Sequence, residues 1–201
     1  MASDSLAHKR RGILFIISGP SGVGKTTLIK RLLRSFPDIL PSVSCTTRAR
    51  RPGEIPGRDY HFVTVKRFTS LRSRDGFAEW ANVHGSLYGT PRRPVEQALG
   101  RGGDALLEID VQGTRKIKRR YPSAVSIFIA PPSWHELRRR LSRRGTDGRK
   151  TMAKRLENAR REIHESMRYD YLVVNTDLGV AVDSARSIVV AERLRVSRLK
   201  S

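Results

Sequence analysis

The sequence predicts an α/β fold, an open parallel sheet with helices on both faces, carrying an inserted, mostly β subdomain and a short helical lid. Three observations lead there. Apolar runs at Ile13 to Ile17, Ala105 to Ile109, Val125 to Ala130 and Tyr171 to Val174 are short and rich in β-branched residues, as strands buried on both faces should be. Stretches with helical apolar spacing separate most of these runs, the alternation that builds parallel sheets. Between the first run and the first helical stripe stands Gly19-Pro20-Ser21-Gly22-Val23-Gly24-Lys25-Thr26, a G-x-x-x-x-G-K-[ST] loop of the kind that wraps a phosphate between a strand and a helix.

In chain order, Leu28, Leu32 and Phe36 line one face of the first helix until Pro37 stops it. From residue 43 to 95 the texture changes: short segments such as Tyr60-His61-Phe62-Val63 lie among Gly, Pro and Arg, which reads as the inserted β subdomain. Ser142 to Arg155 is polar, with little to bury, and residues 140–155 are assigned to a mobile lid. Met152, Leu156, Ala159, Ile163 and Met167 keep helical spacing, as do Val182, Ala185, Ile188, Val189 and Leu194 near the C-terminus. Residues 11–42, 96–139 and 156–201 are therefore taken as the core, and residues 1–10 as a frayed basic tail. The tail has no apolar stretch of a secretory signal, and no apolar run approaches the ~20 residues of a membrane span. The single cysteine, Cys45, reads as a small strand residue and fits a reducing, cytoplasmic setting. Nothing in the pattern specifies an oligomeric state.

The loop carries its own chemistry. Its glycines let successive backbone N–H groups turn toward an anion, and the positive end of the following helix adds to the attraction. Lys25 is placed to reach the outer phosphates of a nucleotide and Thr26 to ligate Mg2+, while Thr27 extends the contact surface into the helix. This alone specifies a nucleotide and not the second substrate.

Further motifs narrow the choice. Ser44-Cys45-Thr46-Thr47-Arg48-Ala49-Arg50-Arg51-Pro52-Gly53-Glu54, then Gly57, Tyr60, Glu79, Tyr88-Gly89-Thr90 and Glu108-Ile109-Asp110-Val111-Gln112-Gly113 closely resemble the guanylate kinase family. The resemblance continues through Ile127 to Ser133, Arg140, Arg144-Gly145-Thr146, Arg155 and Asp170 to Asn175. It implies an enzyme that moves the γ-phosphoryl of ATP to GMP, and to dGMP, with Mg2+. By the resemblance, Arg48 and Arg51 hold the GMP phosphate with hydroxyls from Ser44, Tyr60 and Tyr88, and residues 43–95 form the GMP-binding subdomain. Glu79 reads guanine, whose N1–H and 2-amino group offer two adjacent donors to a carboxylate, and Thr90 and Glu108 complete base recognition. Arg140, Arg144 and Arg155 close over the transferring group, Asp110 holds hydrated Mg2+, and Asn175 contacts the adenine side of ATP.

Two rival readings use the same fold: a non-catalytic protein-binding scaffold and a sugar-phosphate kinase. The first leaves an intact phosphate loop without a purpose, and the second leaves Glu79 and Thr90 nothing to recognise. Charge is the feature that none of these readings absorbs. Against 19 acids stand 40 Lys and Arg, a net charge of +21. No nucleic-acid-binding motif organises the cations, so nucleic acid is not required, yet non-specific binding stays open. Part of the surplus falls where the family is usually more acidic, at Arg92-Arg93-Pro94 and at Asp147-Gly148-Arg149-Lys150.

Overall fold

The computed structural model describes residues 10–83, 85–142 and 149–199. The chain runs through β1 (Leu14–Ser18), α1 (Lys25–Ser35), β2 (Ile39–Pro41), β3 (Cys45–Thr46), β4 (His61–Phe62), α2 (Val65–Ser73), β5 (Phe77–Val83) and β6 (Ser86–Pro91). It continues with α3 (Arg92–Gly100), β7 (Asp104–Glu108), α4 (Val111–Arg120), β8 (Val125–Ala130), α5 (Trp134–Ser142), α6 (Arg149–His164), β9 (Tyr171–Val174) and α7 (Leu178–Arg193).

The main sheet has the order β2-β7-β1-β8-β9, parallel throughout. Successive side chains of a strand point to opposite faces, and β1 divides accordingly. Phe15 and Ile17 join Leu28, Leu32, Val182 and Ala185 beneath α1 and α7, while Leu14 and Ile16 join Val95, Leu107 and Ile117 beneath α3 and α4. All five residues of β1 are buried, which is why its first four are apolar without alternation.

Residues 45–91 build a second sheet, β4-β3-β6-β5, with antiparallel pairings around β6. Its own small core is Cys45, Phe68 and Phe77, the two rings stacked at 4.5 Å between centroids. A third cluster, Leu137, Leu141 and Ala159, joins α5 to α6. The expected lid thus begins inside α5 and resumes in α6, and residues 143–148, which include Arg144, lie outside the described residues, as does the tail up to residue 9. No helix among the described residues is long and apolar enough to cross a membrane.

Two helical stripes are shorter than their periodicity suggests. α6 gives way after His164 to a 3-10 turn, Glu165–Arg168, so Met167 leaves the stripe and is 88% exposed. Leu194 caps α7 instead of packing and is 75% exposed. Arg10, expected in the tail, is anchored: its guanidinium donates to the Asp104 carboxylate at 2.5 and 2.8 Å. That carboxylate, fully buried, also accepts from the Ile13 N–H at 2.9 Å and from Arg193 at 2.8 Å, tying the start of β1, the start of β7 and the end of α7. Asp104→Ala would leave the Ile13 N–H without its acceptor and strip the shared carboxylate from Arg10 and from Arg193, which keeps Asp38 at 2.6 Å, and a destabilisation of about 3 kcal/mol is expected by urea titration. A loss below about 1 kcal/mol would show that the seam relaxes without it.

Candidate active site

The phosphate loop turns out of β1 through Gly19 and enters α1 at Gly24, whose φ of 99° lies in the left-handed region. A Cβ at Gly24 would stand 2.8 Å from Asn175 Nδ2. The loop's carbonyls are tied down from behind. Lys25 Nζ donates to the Gly19 and Pro20 carbonyls at 2.5 and 3.1 Å. Asn175 Nδ2 donates to the Val23 carbonyl at 2.7 Å, and Arg140 donates to the Val23 and Asn175 carbonyls, both at 3.2 Å. Glu136 holds Arg140 at 2.7 Å, and Arg139 and Arg140 together pull its carboxyl down to about 2. Asn175, only 4% exposed, and Arg140 therefore brace the loop from beneath, and neither lines the cleft in front of it.

That cleft, about 380 Å³, joins the two halves of the molecule. Gly19, Ser21, Gly22, Gly24, Lys25, Thr26 and Thr27 form one wall, and Pro20 and Val23 are buried under it. Ser44, Arg51, Tyr60, Glu79 and Tyr88 form the other, with Glu108 and Asp110 at the floor and Arg155 reaching in from α6. Arg48 sits just behind: its Nε donates to Tyr88 Oη at 3.1 Å, its Nη2 to Glu54 at 2.6 Å, and its guanidinium lies 5.5 Å from the Tyr60 ring centre. Glu54 also accepts from the Arg51 N–H at 2.7 Å, which folds the arginine-rich turn around one carboxylate. Burial, with the Glu108 and Tyr88 charges, pushes Tyr60 up to about 12, so its hydroxyl remains a donor at neutral pH.

The acidic residues occupy distinct places. Glu79 on β5 is 6% exposed and accepts from Thr90 Oγ1 at 2.8 Å across the β5–β6 pair. Burial drives its pKa to about 7, opposed by the Thr90 bond and reinforced by Asp110. Thr90, expected at the base, is fully buried and spends its proton on Glu79. Glu108, also expected at the base, is exposed at the end of β7 and accepts from Thr26 Oγ1 at 3.2 Å, on the phosphate-loop side. Asp110, expected at the metal, caps α4 by accepting the Gly113 N–H at 2.8 Å and lies in the field of Glu79. A Cβ at Gly113 would come within 2.8 Å of Glu79 Oε2, so a side chain at this helix position would push the carboxylate from its place.

Sequence reasoning missed Glu54, Gly113 and Glu162. Glu162 lines the same cleft, and burial pushes its carboxyl up to about 7 against the pull of Lys25. Its signal was spacing: it follows Arg155 by seven residues, two helical turns, and so shares a face with it.

A phosphate cradle facing a cluster of arginines and tyrosines, with a buried carboxylate beyond, has the parts of a phosphotransferase that joins two phosphorylated ligands in line. The comparisons narrow this class. Residues 11–192 match the family model described as guanylate kinase. A guanylate kinase of Syntrophotalea carbinolica is 52% identical over 96% of this chain and 92% of its own length, and one of Rhizobium meliloti is 51% identical over 94% and 87%. The crystal structure of guanylate kinase from Anaplasma phagocytophilum superposes with a TM-score of 0.82 at 38% identity, covering 96% of this chain and 92% of that one. The chain belongs to the guanylate kinase family.

The raised pKa of Glu79 has a consequence for stability. Its folded value lies above the ordinary 4.5, so the fold favours the protonated form, and that contribution is lost as pH rises from about 4.5 through about 7. A shift of this size corresponds to on the order of 3 kcal/mol. Glu79→Gln should therefore melt several degrees above wild type at pH 8 and close to it at pH 4.5. Equal melting temperatures at both pH values would mean that the ionised carboxylate costs nothing in its pocket.

Proposed function

We propose that the chain transfers the γ-phosphoryl of ATP to the phosphate oxygen of GMP and dGMP, giving ADP and the diphosphate, with each side chain in the role its position supports. The observation that carries this reading is the single cleft in which the phosphate loop faces Ser44, Arg51, Tyr60, Tyr88 and the buried Glu79. The attacking oxygen is already anionic near neutral pH, so no general base is needed and catalysis is positioning and charge neutralisation. Lys25 leaves the Gly19 and Pro20 carbonyls to follow the β- and γ-phosphates, and Arg155 approaches from the opposite side. Arg48 and Arg51 grip the GMP phosphate with planar forks suited to that anion, aided by the hydroxyls of Ser44, Tyr60 and Tyr88.

Glu79, oriented by Thr90, pairs with the two adjacent donors of guanine, and Asp110 stands beside it at the base end. Adenine lacks that donor pair, so the buried carboxylate would be left unpaired against AMP. Glu108 belongs with Thr26 at the metal end. A hydroxyl and an exposed carboxylate within 3.2 Å of each other offer the hard oxygen donors that Mg2+ prefers. No group of three or more His, Cys, Asp or Glu able to hold a metal occurs among the described residues, so phosphates and water would supply the remaining ligands, as is usual for Mg2+. Bound there with the nucleotide, the ion would neutralise charge between the β- and γ-phosphates.

A coupled ADP-release assay across GMP, dGMP, AMP, CMP and UMP tests the assignment, with GMP and dGMP expected to turn over and the others poorly. Turnover of AMP or UMP at the GMP rate would remove the role given to Glu79. In the same assay Lys25→Ala should lower kcat by roughly a thousandfold or more. Gly113→Ala should act differently: its methyl group displaces Glu79, so KM for GMP rises roughly tenfold or more while KM for ATP stays within about twofold. A rise in both Michaelis constants would place Gly113 in the fold at large and not at the base pocket.

A further inference from the structure

The net charge of +21 greatly exceeds what two nucleotides and their phosphates can absorb, and several of the cations are gathered on one face. Helix α4, Val111–Arg120, carries five cations and no acid in the sequence VQGTRKIKRR. Its outer side meets α2 across the edge strand β5. Lys116 Nζ and the Arg72 guanidinium lie 4.6 and 4.9 Å from the centre of the Trp80 ring, and Lys116 also donates to the Trp80 carbonyl. One turn further along α4, Arg120 donates to Asp75 at 2.7 and 3.0 Å, and Arg92 at the start of α3 donates to the same carboxylate. Arg74 and Arg119, both exposed and making no ion pair among the described residues, flank this junction. Six cations thus converge around two carboxylates, Asp75, which joins two of them, and Glu96, 3.7 Å from Arg92.

We propose that this face, made by the end of α2, the start of α3 and the C-terminal half of α4, binds the phosphodiester backbone of single-stranded nucleic acid without regard to sequence. Arginine predominates in it, and guanidinium forks match phosphate oxygens in pairs. The Trp80 ring is already covered by two cations, so base stacking is not offered and the interaction is with the backbone. Anionic lipid fits less well, because the junction shows no large exposed apolar side chain to enter a bilayer interface. The N-terminus of α4, at Asp110, belongs to the cleft, and its C-terminus lies about 15 Å away along the helix, so a strand on this face leaves the cleft open.

The test uses the full chain and a labelled single-stranded RNA of mixed sequence, about 20 nucleotides long, titrated at several salt concentrations. Wild type should bind with log K falling linearly in log salt. Arg74→Ala/Arg119→Ala should weaken binding roughly tenfold at about 0.1 M salt and flatten the slope by about 1.4, the value for two lost single-strand phosphate contacts. Arg31→Ala/Arg34→Ala on α1 removes the same charge from exposed residues elsewhere and should leave affinity within about twofold. Phosphoryl transfer should be unchanged in both variants. Equal weakening in the two double variants would assign the effect to net charge and overturn the face. So would binding to phosphatidylserine vesicles with none to RNA, or no RNA binding at low salt.

Discussion

A phosphate loop works only if its backbone is already held in the turn that points its amides toward the ligand. Here every element beside the loop contributes to that condition. Lys25 holds the Gly19 and Pro20 carbonyls, and Asn175 and Arg140 share the Val23 carbonyl. Asn175 stands at the end of β9, where its N–H is bonded to the Ala130 carbonyl of β8 at 2.8 Å, so the brace is part of the sheet. Arg140 comes from α5, where Glu136 fixes it one helical turn away. The parallel sheet therefore does more than present the loop at its edge: its neighbouring strand ends set the loop's conformation.

The facing wall shows the opposite economy, with carboxylates placed where burial disfavours their charge. Glu79 lies in a pocket that favours its neutral form, and Glu162 in a cleft that does the same. A buried carboxylate without an ionic partner is a cost to the fold, and under the proposed function that cost becomes a means of discrimination, because a ligand that supplies two adjacent donors recovers it. Gly113 and Thr90 exist in this arrangement for Glu79, the one by leaving space and the other by donating a proton.

The residues that could be read from the sequence and those that could not differ in the range of the interaction that defines them. Strands β1, β7 and β8 were legible because burial on both faces leaves a continuous apolar run, β9 because it is apolar too, although as an edge strand it leaves Leu172 and Val174 exposed, and the loop because its backbone geometry demands glycine at fixed spacing. Strand β2 was not, since its three residues are bounded by Pro41 and two of them are exposed. Met167 and Leu194 kept helical spacing beyond the point where the helices end, and periodicity carries no information about a missing neighbour. Glu108 and Asp110 line the cleft and Thr90 bonds Glu79 behind it, but which oxygen faces which group is decided by register between β5 and β6 and by the cap of α4. Those are tertiary facts, and Glu79 and Gly113 meet only through them.

The excess of cations raises the question of how such a chain folds against its own repulsion, and the ion pairs give a physical answer. A carboxylate has two oxygens and can accept from two guanidinium groups at once. That stoichiometry recurs through the molecule: Asp104 takes Arg10 and Arg193, Asp75 takes Arg92 and Arg120, Glu136 takes Arg139 and Arg140, Glu165 takes Arg115 and Arg168, and Glu192 takes Arg195 and Arg198. The ratio of 40 basic to 19 acidic residues is matched locally by acids that each serve two arginines. The two most buried of these, Asp104 and Glu192, close the seam between the chain's ends, where repulsion would otherwise open the fold. Each such hub satisfies its hydrogen bonds and still carries a net positive charge. A fold held together in this way neutralises its interior contacts while leaving its surface strongly cationic, so stability and attraction for polyanions arise from the same pairing rule.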